Sequence, residues 1–207
     1  MTSTNGLWNP TDVYRRVLDN DWPGSDEDAS GLVLLRPESV SYNAGYATIS
    51  NSGSIDCISA SQVQVNGVFT SAYRNYMVVW NTRDLSTNPS YVWRFSSGGT
   101  PATLAYKYRE FTVDGLTEFS TSGSTSIVNV GRAYNRTSYS GAALTTFIYD
   151  PAVASPTSWI SRSVYRYNIV YSWMRYGTQD DSTAFDGIYF YSTVGTGRIS
   201  IYGLEGN

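Results

Sequence analysis

The side chains of this chain with the reach for acid–base or metal chemistry are carboxylates. Asp180, Asp181 and Asp186 gather in the segment between Tyr176 and Gly187, while Asp84 and Asp114 sit in turns elsewhere. A pair of carboxylates held roughly 5 to 9.5 Å apart can hydrolyse a glycosidic bond. The run Asp-Asp-x-x-x-x-Asp-Gly also has a faint likeness to an oxygen-rich calcium loop, so these three aspartates form a weak calcium candidate. Aspartates in Gly-terminated turns also bond their own backbone, and that role needs no ion. Other catalytic chemistry is short of parts. The chain has no histidine and one cysteine, which removes Ser-His-Asp and Cys-His triads and imidazole zinc sites from within the chain. Cys57, in Ile-Asp-Cys-Ile, reads as a small buried hydrophobe. Gly195-Thr196-Gly197-Arg198 reads as a two-glycine turn between strands, because neither a helix nor the full glycine pattern of a phosphate loop follows. The expectation is a protein that is not an enzyme and carries no cofactor.

Stacking chemistry is better supplied. Tyr134, Asn135, Arg136 and Tyr139 lie together in a polar stretch, Trp159 follows the connection Ala154-Ser155-Pro156-Thr157-Ser158, and Tyr176 precedes the aspartates. Aromatic faces beside amide and charged groups suit a sugar or a protein partner. These six residues are the candidate ligand or partner loops, and recognition of a host-surface glycan is the alternative function they raise.

Such loops need a scaffold, and the scaffold reads as all-β. Ser61–Val65 alternates as a strand with one buried face does. Met77–Trp80 is a continuous apolar run that predicts a strand covered on both sides. Tyr91–Phe95 places its aromatics on one face, and Leu104–Arg109 repeats the pattern with cations on the other. Further strands are expected at 125–130, 144–149, 163–167, 169–174, 188–191 and 198–202, separated by Gly, Asn-Pro, Asp-Gly and Ser-Gly turns. Phe119–Ser126 and Thr137–Gly141 read as surface loops. Short strands in succession without helices predict an antiparallel β-sandwich over residues 31–207, jelly-roll-like or lectin-like.

Residues 1–30 differ. Thr11 caps a short helix expected over 11–19, with Val13, Tyr14, Val17 and Leu18 on one face. Asn20-Asp21-Trp22-Pro23-Gly24 ends it, and Ser25-Asp26-Glu27-Asp28 follows as an acidic linker. The segment is too short to fold alone. Trp8, Tyr14 and Trp22, with Arg15 and Arg16, make it an attachment arm that must lie against its own domain or against another protein.

The 207 residues carry 18 Tyr, 6 Trp and 7 Phe, with 41% apolar and 15% charged residues. That composition supports a packed domain without disulfide or metal. A net charge of −3 leaves no basic stripe for nucleic acid, and no apolar run approaches a membrane span. The opening Met1–Gly6 lacks the basic and apolar regions of a signal peptide, so the expectation is synthesis in a cytoplasm.

Residues Val65-Asn66-Gly67-Val68-Phe69-Thr70-Ser71-Ala72-Tyr73-Arg74-Asn75-Tyr76-Met77-Val78-Val79 resemble a segment found in tailed-bacteriophage minor tail, fibre, receptor-binding and decoration proteins. The run Gly197–Leu204 is similar to their last strand, and Asn5–Pro10 is in keeping with their N-terminal arms. The resemblance implies a virion structural protein, often trimeric, mounted on other virion proteins of a head, tail or baseplate. It brings no active site. In this segment Phe69 is expected to anchor in the core, Ser71 and Asn75 to satisfy a tight connection, and Tyr76 to seat the next strand.

Overall fold

A computed structural model describes residues 31–83, 90–103, 105–113, 118–125, 128–132, 142–166 and 170–204. The expected helix at 11–19 and the arm residues Trp8, Tyr14, Arg15, Arg16 and Trp22 lie outside them, as do Tyr134, Asn135, Arg136 and Tyr139. The described strands belong to one unit, Leu32–Asn207. They are β1 (Leu32–Leu34), β2 (Ser39–Ser41), β3 (Ala44–Ile49), β4 (Ile55–Asn66), β5 (Asn75–Arg83), β6 (Ser90–Ser97) and β7 (Thr100–Pro101). After these come β8 (Tyr106–Val113), β9 (Glu118–Thr125), β10 (Val128–Arg132), β11 (Ala142–Tyr149), β12 (Thr157–Arg166), β13 (Val170–Gln179) and β14 (Gly187–Leu204). No helix occurs among the described residues, and every pairing is antiparallel. The all-β antiparallel expectation holds.

The strands form one sheet in the order β10-β6-β14-β5-β11-β12-β13-β8-β9, with β1 and β4 on the other edge of β14 and β2 and β3 on β4. The sheet curls until β10 lies over β12 and β13. Two layers therefore come from one sheet folded over. β14 makes the fold: it pairs with β6 over Gly187–Phe190 and with β5 over Thr196–Leu204, with irregular register between. Strands β9 and β10 stand at opposite ends of this order, yet only positions 126 and 127 separate them in the chain. Three Cα steps span at most about 11 Å, so the ends of the curl are close.

The core fills the fold with rings. Tyr91, Trp93 and Phe95 of β6 are all buried on one face, as their alternation predicted. Trp80 of β5 packs edge-on against Tyr91 and Phe190, with centroids 4.5 and 4.8 Å apart. Phe69 and Tyr76 are buried, as expected. The connection between them is held by Tyr76, whose hydroxyl donates to Thr70 O at 2.6 Å and accepts from Thr70 N at 2.8 Å.

Several local expectations are corrected. Gly195-Thr196-Gly197 is not a turn between two strands but an irregular stretch inside β14. The loop expected at Phe119–Ser126 is corrected, because β9 occupies residues 119–125; of the strand expected at 125–130, residues 128–130 open β10. Gln64, expected on a solvent face, is buried and donates to Asn66 Oδ1 at 2.8 Å and Ser96 Oγ at 2.7 Å. Met77 and Val79, expected to be covered, are half-buried on the outer face of β5.

Candidate functional site

Asp180, Asp181 and Asp186 do not assemble, and Asp84 and Asp114 lie outside the described residues. Asp180 accepts from Thr178 at 2.6 Å and pairs with Lys107 at 2.5 Å, bonds that hold its carboxyl below the usual range. Asp181 accepts from Gln179 Nε2, and Asp186 accepts from the backbone N–H of Gly98. Each has its own protein partner, and the described residues contain no group of three His, Cys, Asp or Glu placed to hold a metal. Asp180 instead fastens the connection between β13 and β14 to β8, Asp186 fastens it to the turn between β6 and β7, and Asp181 bonds the end of β13 itself.

Trp159 is a correction. The sequence suggests a ligand or partner loop there, but the residue lies inside β12 and is 1% exposed. Thr157, Trp159, Ser161 and Ser163 alternate onto the inner face, where the Trp159 ring meets Trp93 at 5.6 Å. It also lies over Gly177, where a Cβ would come within 2.8 Å of the ring. This tryptophan fills the core and cannot stack on a sugar.

The inner face of β11, β12, β13 and β8 is unusually polar for a core. Thr146 and Ser161 share a buried hydrogen bond of 2.7 Å. Arg175 forms an ion pair with Glu110 and stacks on Tyr108, its guanidinium carbon 4.3 Å from the ring centroid. Burial lowers the Arg175 pKa to about 10, and Tyr108 opposes that shift. The guanidinium is charged at neutral pH, and Glu110 is tied to it rather than free for acid–base work.

The outer face tells more. Tyr176, the other candidate among the described residues, is 44% exposed on β13. Its register partners are Ile160 on one side and Arg109 on the other. Ile160 is opposite Phe147, Phe147 opposite Met77, Met77 opposite Tyr202, and Tyr202 opposite Leu34. Register partners point to the same side of a sheet, so these residues form one row across seven strands. At about 4.8 Å per strand the row is about 29 Å long. Leu32, Tyr149 and Val164 flank it and, with Ile160 and Tyr176, are between 36 and 53% exposed. Half of the large exposed apolar residues among those described therefore share this face. Arg109 and Arg162 stand exposed on it, and among the described residues neither has an ion-pair partner. Apolar side chains gathered beside unpaired cations on one sheet face are of the kind that can meet a protein partner.

No helix among the described residues is long and apolar enough to cross a membrane. No family model matches the chain, and no curated protein matches it. Among solved structures, a protein of unknown function from Shewanella oneidensis MR-1 aligns over 98% of this chain and 97% of its own, at 10% identity and a TM-score of 0.27. At that score the likeness carries nothing about fold or function.

Proposed function

We propose that this chain is a non-enzymatic structural protein of a tailed-phage particle. In this reading residues 1–30 attach it to a neighbouring virion protein, and the β-unit associates with further copies. The observation that carries the reading is the apolar row on the outer face, from Leu34 through Met77, Phe147 and Ile160 to Tyr176. A face of this kind works by holding another protein. The resemblance of residues 65–79 and 197–204 to phage tail and decoration proteins supports the setting. The trimer implied by that resemblance is part of the proposal.

The test is incorporation. A chain lacking residues 1–24 is expected to keep the far-UV circular dichroism of the full chain while disappearing from purified particles. Normal amounts of the truncated chain in particles would sink the attachment role. The glycan reading loses Trp159 to the core, and Tyr176 stands between Ile160 and Arg109 at the end of the apolar row; its other candidates, Tyr134, Asn135, Arg136 and Tyr139, lie outside the described residues.

A further inference from the structure

We infer that the occupant of the outer face is the N-terminal segment of a second copy of this chain, so that copies join arm to face. The inference rests on the assembly role proposed above and names its partner. Reach argues first. The row is about 29 Å long, a length that a segment of 30 residues can follow whether helical or extended.

Charge argues second. Residues 1–30 carry Asp12, Asp19, Asp21, Asp26, Glu27 and Asp28 against Arg15 and Arg16, a net charge of −4. The remaining residues carry +1, since the whole chain carries −3. Exposed Arg109 and Arg162 beside the row meet that acidic segment with the right sign, whereas two copies placed face to face would bring arginines together. Apolar content argues third: Trp8, Val13, Tyr14, Val17, Leu18 and Trp22 give the segment residues to lay along Ile160, Phe147 and Met77. An arm-to-face contact joins two different surfaces, so it propagates until the copies close into a ring.

Complementation between two full-length variants tests this. One has the face altered, Ile160→Asp with Tyr176→Asp; the other has the arm altered, Trp8→Ala, Tyr14→Ala and Trp22→Ala. In sedimentation velocity at tens of micromolar the unaltered chain is expected to be oligomeric. Each variant alone should be monomeric, with unchanged circular dichroism. Mixed in equal amounts, they should form a 1:1 complex, because each supplies the half the other lacks. Arg109→Glu with Arg162→Glu should weaken association of the full chain at least tenfold, as should 0.5 M NaCl.

A monomeric unaltered chain overturns the inference, as does a mixture that stays monomeric. If the arm variant still associates while the face variant does not, the face binds something other than the arm. The arm-to-face contact then falls, while the broader assembly role stands. Particle incorporation of the same variants, measured in parallel, tests that broader role separately.

Discussion

Cys57 is 2% exposed, and burial together with neighbouring Asp56 pushes its thiol from 9.0 up to about 12. The folded chain thus holds this proton more tightly than the unfolded chain. Its contribution to stability is complete below pH 9 and is lost as pH rises from 9 toward 12, at up to about 1.4 kcal/mol per pH unit. Tyr91 and Tyr106, raised above 10.0 by burial, add a loss of the same sign at higher pH. The urea midpoint should therefore fall steadily above pH 9, and Cys57→Ser should flatten the decline between pH 9 and 10. Iodoacetamide should label Cys57 at pH 8 only on unfolding. Two aromatics separate at the same scale. Trp159→Ala should cost about 3–5 kcal/mol in denaturant unfolding, as the loss of a large core side chain does. Tyr176→Ala should stay within about 0.5 kcal/mol, because its ring stands on the surface.

Among the strands, β14 depends most on glycine. Gly195 has φ 73°, a left-handed conformation that L side chains rarely adopt. A Cβ on Gly197 would come within 2.1 Å of the Asn81 carbonyl oxygen in β5. Gly195→Ala should cost about 1–2 kcal/mol from backbone conformation. Gly197→Ala should cost more, about 2–3 kcal/mol, because the β5 pairing must open to admit the methyl. Thermal unfolding of the two variants checks the ranking. In the sequence these glycines resemble an ordinary turn, since a bulge and a turn use the same residue for the same backbone freedom. The alternation of β6 and of the start of β8 was legible because Tyr91, Trp93 and Phe95, and likewise Tyr106 and Tyr108, stand on one side with the cations on the other. The outer row was not. Phe147, Ile160 and Tyr176 lie in three separate strands, and only the register brings them side by side. A one-residue slip of β12 would send Ile160 inward and Trp159 outward, so no reading of single strands could find the row. Trp159 misled for a related reason: a connection containing Pro156 just before an aromatic looks like a loop, and its face-mates Thr157, Ser161 and Ser163 are polar, so apolar alternation points to the side of Ile160 and Val164, which the structure leaves exposed.

For the whole chain, the strongest expectation is a division of labour between residues 1–30 and the β-unit. Removing the segment should leave the melting temperature within a few degrees of the full chain, because the described core lies wholly in residues 32–204. A drop of more than about 10 °C, the equivalent of several kcal/mol for a domain this size, would make the segment part of the fold. The place of β14 has a further consequence for how the protein is made. Gly187–Leu204 follows every other described strand in the chain, yet it stands between β6 and β5 and also pairs with β1 and β4. A ribosome releases the early strands before their shared neighbour exists. Their edges and apolar faces must wait, exposed, until the last stretch emerges. Such long-range pairing folds slowly, and during that interval the nascent chain is open to mispairing with its neighbours on the same messenger. A chain interrupted before residue 187 would therefore be expected as insoluble material rather than as a smaller folded domain.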